Sequence, residues 1–71
     1  MKKEIKKIWS ELVDAQAALE DLAVGAQDTF DNRTERWQES EKGEEYSEMI
    51  SALEDAAGSV QEAIDYLEDY V

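Results

Sequence analysis

Residues 46–70 read YSEMISALEDAAGSVQEAIDYLEDY, and the spacing of their apolar side chains decides the fold. Side chains that recur at alternating intervals of three and four stay on one side of an α-helix, whereas a strand requires a period of two. The series with this spacing is Tyr46, Met49, Leu53, Ala56, Val60, Ala63, Leu67 and Tyr70. A second row, with members seven residues apart, lies beside it: Ile50, Ala57, Ile64 and Val71. We therefore predict a long helix over about residues 41–70.

The N-terminal part of the chain carries the same pattern. Its main apolar series is Ile5, Ile8, Leu12, Ala15, Leu19, Leu22 and Ala26. A neighbouring row with a seven-residue repeat is Trp9, Gln16, Ala23 and Phe30. The positions on the remaining sides are mostly charged, as on the water-facing side of a helix. This pattern predicts a second long helix over about residues 2–29.

The two helices are joined by a short polar segment, DNRTERWQESEKG at residues 31–43. Asn32 or Thr34 can cap a short helical turn that contains Trp37, and Ser40 is a suitable N-cap for the following helix. Because the connection is short and the helices have matched lengths, the sequence predicts an antiparallel αα-hairpin. The predicted fold is all-α, a single domain over residues 1–71 with a folded corner at about residues 30–40.

The apolar stripes are wider than a two-helix hairpin can cover. Leaving a side chain such as Ile50 in water forgoes about 1.5–3 kcal/mol of burial free energy. We therefore expect a homodimer that forms a four-helix bundle. A monomer whose corner covers this edge, and a higher or mixed assembly, remain open. The expected dimer interface consists of Trp9, Ile50, Ala57, Ile64 and Val71.

Composition argues against several classes of function. The chain has 19 acidic and 7 basic residues and a net charge of −12, which repels nucleic acid and anionic lipid. It has no Cys and no His, so thiolate metal sites and the commonest general base are absent. We expect no cofactor, no metal, no enzymatic activity, and no direct binding to nucleic acid or membrane. The lysines near the N-terminus precede no secretory pattern, which favours a cytoplasmic protein.

The corner holds the residues that we predict to bind a protein partner: Arg33, Arg36, Trp37 and Glu39. Tryptophan and arginine are enriched among the residues that dominate binding energy at interfaces. A structural role for Trp37 is also open, since its ring can plug the end of the hairpin against Phe30 and Tyr46. A different hypothesis is that the acidic helices imitate the phosphates of DNA and inhibit a nucleic-acid-binding or defence protein.

The corner also carries a resemblance to other proteins. Its matching residues are Phe30, Asp31, Asn32, Glu35, Gln38, Ser40, Glu41 and Lys42. They resemble a motif of small acidic helical proteins from bacteria and their phages: an aromatic residue with Asp-Asn, then Pro-Glu, Leu-Gln, and Ser-Glu with a basic residue. Here Thr34 stands in place of Pro, and Trp37 in place of Leu. The resemblance implies a phage- or prophage-type accessory protein with a structured corner and no catalytic residues.

Overall fold

The computed structural model describes residues 1–71, which form three helices: α1 (Lys2–Asp31), α2 (Glu35–Gln38) and α3 (Glu41–Glu68). There is no strand. α1 and α3 pack side by side in opposite directions, and the rod measures 53 × 14 × 13 Å between Cα atoms. The prediction of an all-helical hairpin is confirmed. α1 continues two residues beyond the predicted end, and α3 stops two residues before it.

The C-terminal end of α3 is electrostatically unfavourable. Its last turn contains no basic residue, while Glu68 and Asp69 place carboxylates at the negative end of the helix dipole. The chain closes with one further turn, in which the Tyr70 amide donates to the Leu67 carbonyl at 2.9 Å. The N-terminus of α1 has no side-chain cap, and the ion pair there joins the Met1 amino group to Glu4 at 2.6 Å.

The seam between α1 and α3 keeps half of each main series and takes its other half from the neighbouring row. All its members are buried or half-buried within a single chain. Those on α1 are Ile5, Trp9, Leu12, Gln16, Leu19, Ala23, Ala26 and Phe30. Those on α3 are Gly43, Tyr46, Ile50, Leu53, Ala57, Val60, Ile64 and Leu67. The spacing of three and four is retained. Each helix is rotated about its own axis, so that the neighbouring seven-residue row enters the seam and one row of the main series leaves it.

This rotation corrects the edge that we assigned to a dimer. Ile50, Ala57 and Ile64 are buried inside the hairpin, and Trp9 is half-buried there, so they do not form an edge open to a second molecule. Val71 is exposed but lies beyond the end of α3. The exposed large apolar residues of the main series are Ile8, Leu22, Met49 and Tyr70, and Val13, Val24 and Tyr66, which belong to neither series, are exposed as well.

The hairpin core is thin. Its buried apolar residues are Ala23, Ala26, Ile50, Ala57 and Ile64, and three of these are alanines. No large side chain is completely enclosed. The indole N–H of Trp9 is shielded from water and has no hydrogen-bond acceptor, which adds a local cost. One chain therefore leaves much of its apolar surface exposed, as short chains without disulfides or metals commonly do.

Candidate functional site

Three aromatic rings close the corner end of the hairpin. Trp37 meets Phe30 and Tyr46 edge to face, with ring centroids 6.0 Å and 5.7 Å away. Phe30 and Tyr46 stack with their centroids 6.5 Å apart. One ring comes from each helix, so the cluster holds α1, α2 and α3 together. Edge-to-face pairs at such distances add about 0.5–1.5 kcal/mol each beyond area burial.

Short side-chain hydrogen bonds fix the backbone of the corner. Thr34 is the N-cap of α2, and its hydroxyl accepts from the Trp37 amide at 3.2 Å. Ser40 is the N-cap of α3; its hydroxyl accepts from the Gly43 amide at 3.3 Å and donates to the Trp37 carbonyl. Of the two capping residues proposed for the short turn, Thr34 is the one used, while Asn32 ends α1.

Two further residues shape the corner without having been predicted as important. The Gln38 side-chain amide donates to the carbonyls of Phe30 at 2.8 Å and Arg33 at 3.3 Å, one in the last turn of α1 and one just after the helix. A Cβ on Gly43 would overlap the carbonyls of Trp37 and Gln38, so only glycine lets α3 begin against α2. No capping rule connects residues eight apart, and the close approach at Gly43 exists only in three dimensions.

The four predicted partner-binding residues lie together on this corner. The Arg33 guanidinium sits over the Trp37 ring, with its central carbon 4.7 Å from the ring centroid. Trp37 is half-buried by the aromatic cluster, so it also has the structural role considered above. Arg36 and Glu39 are exposed. The result is a fixed aromatic support with two guanidinium groups and a carboxylate at the end of the rod.

One long side of the hairpin is free of charge over most of its length, and we call it the uncharged face. Leu22, Gly25 and Met49 line one open groove on this side, which shows that both helices contribute to it. With helical periodicity, the face is defined by Ile8, Ala15, Ala18, Leu22 and Gly25 on α1, and Met49, Ala52, Ala56, Ser59 and Ala63 on α3. Asp21 stands at the rim of the groove.

The opposite long side is charged. It holds an open groove of about 810 Å³, and Glu20, Asp28 and Glu54 are among its lining residues. Val24 and Gly58 also line this groove. We call this side the charged face. No group of acidic side chains on either face is arranged to hold a metal ion, and none of the helices meets the length and hydropathy needed to cross a membrane.

The comparisons with known proteins yield no relative. No family model, no curated protein and no solved structure matches the chain.

Proposed function

We propose that this protein is a non-enzymatic protein–protein interaction module, a small cytoplasmic accessory protein of the phage or prophage type that its corner resembles. It acts as a homodimer and recognises a different protein through the corner. The residues that make this contact are Arg33, Arg36, Trp37 and Glu39. The proposal includes no cofactor and no reaction.

The stacking of Arg33 on Trp37 is the observation that carries this proposal. An arginine and a tryptophan held in contact combine the two residue types that most often dominate interface energetics. Phe30 and Tyr46 pack against the Trp37 ring and restrict its side chain. Binding a partner therefore costs little further conformational entropy at Trp37. The corner is thus a preorganised support at the end of a rod.

The charges at the corner indicate the chemistry of the partner. Arg33 and Arg36 are exposed guanidinium groups on a chain that is otherwise strongly acidic. Guanidinium groups bind carboxylates with two parallel hydrogen bonds. A partner that offers a carboxylate beside an apolar patch matches Arg33 and Trp37 together.

Affinity capture from a bacterial lysate tests the corner. The bait is the wild-type chain, with Arg33→Ala plus Arg36→Ala as the test variant. Asp14→Ala plus Glu20→Ala is the control, because it also truncates two exposed charged side chains but in the middle of α1, away from the corner and from the lysines near the N-terminus. We expect a protein that binds the wild type and the control and is lost with the test variant. A binder retained by the test variant, or no binder at all, contradicts the proposal.

A second candidate function is that of an acidic inhibitor that occupies the nucleic-acid site of another protein. It is supported by a row of exposed carboxylates on the side of α3 away from α1, one every seven residues: Glu41, Glu48, Asp55, Glu62 and Asp69. At about 1.5 Å per residue, they repeat roughly every 10 Å along the helix. A partner bound this way should be displaced by duplex DNA and lost steeply with rising salt. A partner held by the corner aromatics should resist both.

A further inference from the structure

The uncharged face takes no part in the corner contacts. The chain has 19 acidic and 7 basic residues, yet the middle of this face, from Ala15 to Gly25 on α1 and Met49 to Ala63 on α3, contains none apart from Asp21 at its rim. Leu22 is 59% exposed there, and Met49 is 42% exposed. A charge-free strip that carries large apolar side chains is typical of a surface that contacts protein.

We propose that a second copy of this chain covers the uncharged face, with the two hairpins packed face to face and their corners at opposite ends. The inference deepens the proposed homodimer by assigning its face and its direction. It does not depend on what the corner binds.

The thin core is the reason to expect a second layer of packing over the uncharged face. Five buried apolar residues, three of them alanines, leave a 71-residue chain without a second layer of packing. Packing Ile8, Leu22 and Met49 against another hairpin would supply that layer. A second copy is present wherever the chain is made, so the fold would not depend on meeting another protein.

The size of the face meets the requirement of a stable dimer. The hairpin is 53 Å long and 14 Å wide between Cα atoms. A contact along this whole side would bury on the order of 700 Å² per copy before side-chain width is included, close to the roughly 800 Å² per partner of a standard interface.

The order of large and small residues favours copies that run in opposite directions. On α1 the row nearest the partner reads Ile8, Ala15, Leu22, which is large, small, large. When two such helices cross antiparallel about Ala15, each Ile8 meets the Leu22 of the other copy and the two Ala15 residues meet. Two alanines in contact let the backbones approach closely, and the larger side chains fill the space on both sides.

The charges at the two ends of the rod favour the same direction. Residues 28–48, at the corner end, hold eight acidic and three basic residues. The other end carries the four lysines Lys2, Lys3, Lys6 and Lys7 beside the acids Glu4, Asp65, Glu68 and Asp69, so it is close to neutral. Copies with adjacent corners would bring the two most acidic segments together. Opposite directions place the lysines of each copy opposite the C-terminal end of α1 in the other, where Asp28 and Asp31 lie.

The first test compares two glutamates placed two residues apart. Leu22→Glu changes the uncharged face, and Val24→Glu is the matched control because Val24 lies on the charged face and is 62% exposed against 59% for Leu22. Sedimentation velocity over a concentration series gives the dimer dissociation constant. We expect Leu22→Glu to raise it about a hundredfold or more, since each dimer loses two Leu contacts, and Val24→Glu to change it less than about threefold.

The second test uses disulfide crosslinking and remains informative when a variant lowers stability. The chain has no cysteine, so a single introduced cysteine can pair only with its copy. Ala15→Cys should form a covalent dimer under mild oxidation, because the antiparallel crossing brings the two residues within disulfide reach. Ala17→Cys, two residues away and off the uncharged face, is the control and should not. In a dimer with adjacent corners, the two Ala15 positions lie diagonally apart.

The possible outcomes test two claims separately: that the chain forms a dimer, and that the uncharged face is its interface. A wild-type chain that stays monomeric at tens of micromolar overturns both the dimer and the face assigned to it. This is the result expected if the face instead receives a helix of another protein. A wild-type dimer that resists Leu22→Glu but is split by Val24→Glu overturns only the face. Crosslinking at Ala17 rather than Ala15 does the same.

Discussion

The corner and the rod of this hairpin are built in opposite ways. In the corner, three aromatic rings and the side chains of Thr34, Gln38 and Ser40 fix a short stretch of backbone from several directions. Along the rod, α1 and α3 meet through a single seam in which alanines are the commonest buried residue. The corner contains its own packing partners, whereas the rod has an uncovered side.

This difference shows where the chain holds its shape and where it depends on another molecule. Rigid, internally satisfied structure suits recognition, because little freedom is lost on binding. A long, thin seam suits assembly, because the missing contacts can come from a second hairpin. Substitutions in the corner and in the rod measure how far the two regions differ.

Trp37→Ala should have the largest effect on stability. It removes the ring that contacts Phe30 and Tyr46, and we expect a loss of about 3 kcal/mol in the free energy of unfolding. Urea denaturation followed by circular dichroism measures this loss. Arg36→Ala, on the exposed side of α2, is the control and should change stability by less than about 0.5 kcal/mol. Equal effects would mean that the corner is not a packed unit.

The same glycine-to-alanine change should alter the free energy of unfolding in opposite directions in the corner and in the rod. Gly43→Ala forces a Cβ against the carbonyls of Trp37 and Gln38 and should destabilise the protein by about 2 kcal/mol. Gly58→Ala meets no atom within 4 Å and should stabilise α3 by about 1 kcal/mol through better helix propensity. Thermal melts of the two variants beside the wild type show both signs. A stabilising Gly43→Ala would contradict the close approach of α2 to α3.

The cap at the start of α3 should contribute a smaller amount. Ser40→Ala removes the acceptor of the Gly43 amide and should cost about 1 kcal/mol. Ser51→Ala, the same change at an exposed position inside α3, should be neutral or slightly stabilising. The difference between the two melting temperatures isolates the cap. Indistinguishable variants would show that Ser40 does not fix the start of the helix.

Much of the fold could be predicted from the sequence, because the helix repeat, the cap at Ser40 and the length of the corner are local signals. The rotation of the helices could not. Two neighbouring stripes on each helix share the same spacing, and Ile8 and Leu22 look better suited to a seam than Gln16 and Ala23. The corner decides between them: Phe30 packs against Trp37 and Tyr46, so Ala23, seven residues earlier, also faces α3.

The residue types of the candidate site could be predicted from the sequence, but their contacts in three dimensions could not. Arginine, tryptophan and a polar corner are visible as residue types, so Arg33, Arg36, Trp37 and Glu39 could be chosen from the sequence. The contact of Arg33 with the Trp37 ring depends on the turn that Thr34 caps. The uncharged face appears only after the seam is known, because it consists of the positions that the seam leaves out.

The concentration dependence of unfolding tests most directly the claim that a second copy completes the rod. Urea unfolding of the wild-type chain is followed at two protein concentrations about a hundredfold apart. A dimer that unfolds to separate chains gains about 2.8 kcal/mol per mole of dimer over this range, so the midpoint should move to higher urea at the higher concentration. A midpoint that stays fixed would show that one hairpin is stable alone and would contradict the account.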